Sequence, residues 1–208
     1  MTKFFIYLAV ASPVWAVSRF YFPFVVPKIL FFRTTVELAL LTFLIFSLGQ
    51  PKSYWKSLLE KMRQPLFLAV VFFVAVFLLT NLTAVNPAAA FWSNFERGEG
   101  GWQIIHYAIF FMVTALALPA KKDWIRLLRW HSFIALFVAL YGLGQFLGIK
   151  LGGWIIAPGS VSGTLGNSSY LAVYLVFSIF FLFWLFLEER GIGAKTVIVL
   201  LALFQSFI

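Results

Sequence analysis

The sequence contains no cysteine, only two histidines and only seven acidic residues among its 208 positions. Without cysteine, the chain can form no disulfide framework, no cysteine-ligated zinc site and no thiolate nucleophile. The two histidines, His106 and His131, are too few and too far apart in the sequence for a histidine-based metal site. We therefore expect no bound metal. Charged residues of both signs make up only 11% of the chain, which is too little polar surface for a soluble domain.

Apolar and aromatic residues are abundant instead, at 62% and 20% of the chain, with a mean hydropathy of +0.97. This composition predicts an integral membrane protein whose partner is the lipid bilayer. The net charge of +9 raises the alternative of nucleic-acid binding. However, the basic residues lie in short segments between apolar runs and form no basic face. We therefore expect no nucleic-acid partner.

The apolar runs predict an all-α fold, a single polytopic transmembrane bundle over residues 1–208, with about six full spans and a truncated seventh. A helix needs about 20 apolar residues to cross the hydrocarbon core. The predicted spans are residues 4–18, 29–48, 65–82, 102–118, 130–147, 170–187 and 195–208. The first run could instead be a cleaved signal peptide. The last is still apolar at Ile208, which indicates the N-terminal part of a longer protein or a re-entrant terminal helix.

Two of the predicted loops hold 8 of the 16 basic residues. The positive-inside rule places these loops, and with them the N-terminus, on the cytoplasmic side. Their basic residues are Lys52, Lys56, Lys61 and Arg63 in one loop and Lys121, Lys122, Arg126 and Arg129 in the other. The loops after the third and fifth spans then face outward.

Two charged residues, Arg33 and Glu37, lie near the predicted outer end of the second span. Their spacing of four puts them on one helix face, within reach of each other. Charges at membrane depth are costly and usually face the bundle or a wet cavity. We interpret Arg33 either as an anion-binding group held by Glu37 or as half of a structural ion pair.

The predicted outer loop over residues 86–102 places Arg97 between Glu96 and Glu99 among aromatic residues. Arg97 could bind a lipid diphosphate or a sugar, or it could be a solvated charge at the headgroup level. His106 follows in the outer part of the fourth span. A histidine there is more often a satisfied interfacial residue than a catalytic base.

A second predicted outer loop, residues 159–170, is rich in glycine and serine. Gly163 and Gly166 allow positive φ angles. Asn167, Ser168 or Ser169 could cap the next helix, because each side chain can accept from the first free N–H groups. Those N–H groups could instead receive an anion.

Several of these features occur together and in order, and in this respect the chain resembles the O-antigen ligase and O-antigen polymerase family of bacterial membrane proteins. The residues that carry the resemblance are Phe22-Pro-Phe, Phe32-Arg33 with Glu37, Phe91-Trp-Ser-Asn-Phe-Glu-Arg97, Gly100, His106, Ser162-Gly-Thr-Leu-Gly-Asn167 and Tyr170-Leu-Ala172. Relatives often read Gly-Thr-x-Gly-Asn-Pro-Asn-Tyr in the last motif, where this chain has Ser168 and Ser169.

The resemblance implies an enzyme of the bacterial inner membrane that transfers glycan from undecaprenyl diphosphate to an acceptor at the outer face. The acceptor is lipid A core or another glycan repeat. Because the diphosphate already activates the sugar, the resemblance implies no cofactor. Arg33 and Arg97 would contact the diphosphate, and His106 is the candidate base. The supporting residues would be Glu37, Glu96, Thr164 and Asn167.

In relatives, a large outer loop with the key Arg and His residues comes later in the chain, beyond the point that corresponds to Ile208. Two other functions stay open. A transporter or permease is the first, although its polar residues usually lie at mid-membrane. A non-catalytic membrane scaffold is the second, since the sequence shows no complete catalytic set.

Overall fold

A computed structural model describes residues 1–94, 98–149, 159 and 161–208. Within these ranges the chain forms nine α-helices and two 3₁₀ turns and contains no β-strand, which confirms the all-α class. The α-helices are α1 (Thr2–Val10), α2 (Val26–Leu48), α3 (Lys52–Met62), α4 (Pro65–Leu82), α5 (Pro87–Trp92), α6 (Gly101–Ala117), α7 (Lys121–Phe146), α8 (Ser168–Glu188) and α9 (Ile192–Phe207). The 3₁₀ turns cover Ser12–Val14 and Gly163–Leu165.

Four of the described helices, α2, α4, α7 and α8, are long and apolar enough to cross a membrane, which indicates a membrane protein. This number is lower than the six full spans expected from the sequence. The first predicted span, residues 4–18, is not a helix of spanning length. The α-helix stops at Val10, and a 3₁₀ turn containing Pro13 follows, because a proline cannot donate a helical hydrogen bond. Helix α6 ends before Pro119 after 17 residues, and α9 has only 16.

Helices also occur where the sequence predicted loops. The basic segment before α4 forms the amphipathic helix α3, and α7 begins at Lys121 rather than at residue 130. Hydropathy detects the apolar part of a helix and not its charged turns. For the predicted span 130–147, the C-terminal boundary therefore agrees with α7 to within one residue, whereas the N-terminal boundary was wrong because the first turns of α7 are charged.

The chain divides into two compact units. The first unit contains Met1–Ala9 and Ile29–Pro119, and the second contains Val10–Lys28 and Ala120–Ile208. In the first unit α4 packs against α6, where the rings of Phe67 and Phe111 lie 5.2 Å apart.

The core of the second unit lies between α7 and α8. Its buried members are Ile134, Val138, Ala139, Leu171 and Leu175. Gly142 of α7 faces Leu171 of α8 across this core. A Cβ atom added to Gly142 would lie 3.4 Å from a methyl group of Leu171.

Candidate functional site

In the first unit, Arg33 of α2 is bonded to the start of α6. Its Nε donates to Oε1 of Gln103 at 2.8 Å, and its Nη2 donates to the carbonyl of Gly98 at 2.8 Å. Gln103 is only 2% exposed. Both acceptors are neutral, so they orient the guanidinium group without neutralising its charge.

One turn further along both helices, Glu37 pairs with His106. His106 Nε2 lies 2.9 Å from Oε1 of Glu37, and His106 Nδ1 lies 2.8 Å from the carbonyl of Trp102. A carbonyl can only accept, so Nδ1 must carry a proton. Nε2 is then the ring nitrogen that faces the carboxyl group of Glu37. The histidine is 1% exposed, whereas the Glu37 side chain is 57% exposed.

The pairing expected from sequence between Arg33 and Glu37 is not the one that forms. Among the described residues no ion pair joins these two side chains, because each turns to a different residue of α6. The spacing prediction was correct in putting both on one face of α2. Gln103 was missed, and only its position three residues before His106 could have suggested a shared face.

The position of Glu37 along α2 also differs from the expectation. Helix α2 begins at Val26, three residues before the predicted start, so Glu37 is the twelfth of its 23 residues. Glu37 therefore lies at the middle of the helix, and not near the end that the sequence predicted to be the outer one.

Close packing of two glycines fixes where α6 begins. A Cβ at Gly100 would lie 2.3 Å from the Phe91 carbonyl oxygen, and a Cβ at Gly101 would lie 2.3 Å from Nδ2 of Asn81. Side chains at these positions would push α6 away from α4 and α5. Trp102 then packs edge-on against His106, with ring centroids 4.8 Å apart, which restricts the imidazole orientation.

In the second unit, Asn167 caps α8. Its Oδ1 accepts from the backbone N–H groups of Ser169 at 2.8 Å and Tyr170 at 3.3 Å. Gly163 and Gly166 have φ angles of +57° and +75°, as predicted. The capping role proposed for Asn167 is confirmed, and its side-chain oxygen takes two of the N–H groups that an anion could otherwise use.

Thr164 is fully buried and is used within the fold. Its hydroxyl donates to the Pro13 carbonyl at 2.6 Å. Its own carbonyl accepts a short hydrogen bond from Lys28 Nζ, which also donates to the Phe24 carbonyl at 2.5 Å. Lys28 was not predicted to be part of this region, because its only signal in the sequence is a lone lysine at the start of an apolar run.

Glu96 and Arg97 lie outside the described residues, so their role stays a prediction. The other histidine, His131, is packed against the rings of Tyr174 and Phe181 at 5.3 Å and 5.0 Å. Within the described ranges, no three His, Asp or Glu side chains are grouped to hold a metal ion.

No family model, no curated protein and no solved structure matches this chain. The resemblance to O-antigen ligases therefore rests on the motifs alone. We call Arg33, Glu37, Gln103 and His106 the α2–α6 cluster. This cluster is defined by the hydrogen bonds among these residues in the structure and not by any comparison.

Proposed function

We propose that this chain is part of a membrane glycosyltransferase that moves glycan from undecaprenyl diphosphate to an acceptor at the outer face of the bacterial inner membrane. The observation that carries the proposal is the α2–α6 cluster. Residues about 70 positions apart in the chain meet within hydrogen-bonding distance. Glu37 contacts His106, and both belong to the family-like motifs, whereas Arg33 of those motifs contacts Gln103, which does not belong to them.

Arg33 is suited to bind the diphosphate. Its two bonds to neutral acceptors use Nε and Nη2, and a guanidinium group has five N–H donors. The remaining donors and the full positive charge can receive an anionic oxygen. In a site shielded from water, such a preorganised cation stabilises the negative charge that develops on the leaving diphosphate.

Glu37 is better placed than His106 to act as the base. The resemblance implied His106 as the candidate base and Glu37 as a supporting residue, but the histidine is 1% exposed and the carboxyl group is accessible. In the proposed reaction, the Glu37 carboxylate takes the proton of the acceptor hydroxyl. The hydroxyl oxygen attacks the anomeric carbon, the bond from that carbon to the diphosphate breaks, and its electron pair leaves with undecaprenyl diphosphate. His106 orients Glu37 through Nε2.

The test is a transfer assay with the native full-length gene product in liposomes that contain an undecaprenyl-diphosphate-linked glycan and an acceptor. We expect Glu37→Gln to lower the transfer rate by about 10²–10⁴, the usual contribution of a general base. Arg33→Lys keeps the charge but loses the planar fork, so a smaller loss is expected. Arg97→Ala tests the second predicted diphosphate contact in the same assay.

Glu60→Gln is the matched control, because Glu60 is an exposed carboxylate on α3 outside the cluster. It should transfer at the wild-type rate. A folded Glu37→Gln protein with the wild-type rate would remove Glu37 from the reaction. Absence of transfer by the wild-type protein with every acceptor offered would remove the proposed function.

The proposal also includes a topology, in which the shorter helices α1, α6 and α9 enter the bilayer with the four long ones and the N-terminus is cytoplasmic. Because the chain has no cysteine, single cysteines report on sidedness directly. Ser57→Cys on α3 should react with a membrane-impermeant maleimide only from the cytoplasmic side. Glu99→Cys should react only from the outer side, and the opposite pattern would reverse the orientation.

A transporter is the second candidate function, and one observation favours it. Glu37 lies at the midpoint of α2, and carboxylates in the middle of membrane helices commonly mark ion or proton pathways. Solute or proton flux in liposomes containing the purified protein would support it. Flux lost in Glu37→Gln, without any glycan transfer by the wild type, would favour transport over glycosyl transfer.

A further inference from the structure

Four polar residues of the second unit bury side-chain atoms that have no hydrogen-bond partner among the residues that the structure describes. They are His131 of α7, Tyr174 and Ser178 of α8, and Gln205 of α9. The atoms concerned are Nδ1 of the histidine, the two hydroxyl oxygens, and both the oxygen and the nitrogen of the glutamine amide. We call these four residues the α7–α9 polar cluster. None of them belongs to the family-like motifs or to the α2–α6 cluster.

Three members of the α7–α9 polar cluster meet where α7 packs against α8. The ring of His131 lies 5.3 Å from the ring of Tyr174 and 5.0 Å from that of Phe181. Ser178 comes four residues after Tyr174 and three before Phe181, so at 3.6 residues per turn the three positions lie within about 60° on one face of α8. Ser178 is fully buried. The histidine therefore packs against the stretch of α8 that holds both unpaired hydroxyl groups.

Helix α9 brings Gln205 to the same region. Phe204, next to Gln205 in the chain, and Ile208, three residues after it, pack against the core that contains Leu175. Tyr174 packs against that core as well. Gln205 is itself only 2% exposed, so its amide is directed into the protein and not towards lipid. Helix α9 therefore adds a group with donors and an acceptor to the region between α7 and α8.

The chemistry of the α7–α9 polar cluster selects a small neutral ligand. The cluster holds no carboxylate to pair with a cation and no lysine or arginine to pair with an anion. Its hydroxyl groups and its amide can both donate and accept hydrogen bonds, so a ligand that does both suits them. The hydrocarbon core of a bilayer offers no such partner, and a buried polar atom without a partner lowers stability. A buried water molecule donates and accepts and typically makes about three hydrogen bonds.

We propose that the α7–α9 polar cluster binds water molecules inside the second unit. The water bridges the amide of Gln205 on α9 to the hydroxyl groups of α8 and to Nδ1 of His131 on α7. In this way polar atoms that would oppose burial instead hold the three helices together. Water fits better than a larger neutral molecule, because the buried side chains of Ser178 and Gln205 show that packed residues close the region.

The test is X-ray radiolytic footprinting of the full chain in lipid nanodiscs, read by mass spectrometry. Radiolysis of bound water produces hydroxyl radicals that oxidise only the side chains beside it. We expect oxidation of Tyr174 and Phe181 in the wild type, and its loss in Ser178→Ala and Gln205→Leu, which remove polar atoms of the cluster. Phe67, a buried ring of the first unit that packs against another phenylalanine, should stay unoxidised in all of these proteins.

The matched control is Ser206→Ala, because Ser206 is an exposed hydroxyl next to Gln205 on α9. It should be oxidised as the wild type is. Unoxidised Tyr174 and Phe181 in the wild type, oxidation unchanged in Ser178→Ala and Gln205→Leu, or an equal loss in Ser206→Ala would each overturn the proposal.

Detergent unfolding gives a second reading. Gln205→Leu should lower the midpoint of unfolding, because the water and the remaining polar atoms lose a partner. A raised midpoint would overturn the proposal, because it would show that the amide has no partner to lose. If Gln205→Leu does not fold, Gln205→Met keeps the length of the side chain and answers the same question. None of these outcomes depends on glycosyl transfer.

Discussion

Replacing Gly100 by alanine tests how much the close packing at the start of α6 contributes to the stability of the protein. The backbone angles of Gly100 are φ −93° and ψ −170°, an extended conformation that alanine adopts freely. The added Cβ would lie 2.3 Å from the carbonyl oxygen of Phe91 and 2.8 Å from that of Ala90. Both obstacles are backbone atoms, so no side-chain rotation can relieve the collision.

The size of the effect follows from this geometry. Ordinary contacts of a Cβ begin near 3.4 Å, so α5 and α6 must separate by about 1 Å, a local overpacking that typically costs 1–3 kcal/mol. Alanine is also a poorer N-cap than glycine. We therefore expect Gly100→Ala to lower the free energy of unfolding by about 2–3 kcal/mol.

The matched control is Gly193→Ala. Gly193 lies in α9, and beyond its chain neighbours and the backbone of its own helix no atom lies within 4 Å of its added Cβ. Alanine there should stabilise the helix by up to about 1 kcal/mol, because it loses less backbone freedom on folding. Both variants are measured by sodium dodecyl sulfate unfolding in mild detergent, followed by far-ultraviolet circular dichroism.

The two substitutions should therefore change stability in opposite directions. A Gly100→Ala protein as stable as the wild type would refute the close packing of α5 on α6. A loss of the same size in both variants would show that alanine acts through the unfolded chain or the detergent, and not through the contact with Phe91.

Three further substitutions are measured in the same unfolding assay. Asn167→Ala should lose about 1 kcal/mol because the cap of α8 is removed, whereas Asn167→Asp keeps the acceptor; an equal loss in both would contradict the capping role. Gln145→Leu should lose about 1–3 kcal/mol, because the buried Ser162 N–H loses its acceptor at 3.1 Å; unchanged stability would contradict this bond. Arg129→Gln removes an exposed 2.7 Å pair with Glu189 and should change stability by less than about 1 kcal/mol; a larger loss would mean that the pair is shielded from solvent.

Helix positions were predictable where the sequence carries its own boundary signals. The prediction of residues 65–82 agrees with α4 at both ends, because Pro65 is tolerated in the first turn and polar residues follow the apolar run. Helix α2 ends at Leu48 as predicted, before a Gly-Gln-Pro sequence. Helix α3 and the first turns of helix α7 were not predicted, because a hydropathy profile does not distinguish a helical segment rich in charged residues from a loop.

The partners within the site were not predictable in the same way. The spacing of Arg33 and Glu37 placed them on one face, but a local rule could only pair them with each other. Their actual partners, Gln103 and His106, lie on α6, which is separated from α2 in the sequence by α3, α4 and α5. Which residues of α6 face α2 depends on how closely α6 packs against α4, and that is decided by the glycines at its start.

The hydrogen bonds of the family-like motifs separate residues that support the fold from residues that keep an accessible polar group. Thr164 and Asn167 use their polar atoms on backbone groups of their own unit, so mutating them should act mainly through stability. Glu37 instead keeps a carboxyl group that is 57% exposed beside a histidine that is 1% exposed. A buried, oriented imidazole that holds an accessible carboxylate can assist a proton transfer without touching the substrate. Any chemistry of the described residues is therefore expected at Glu37 and Arg33, and the glycine-rich turn before α8 is expected to support the fold.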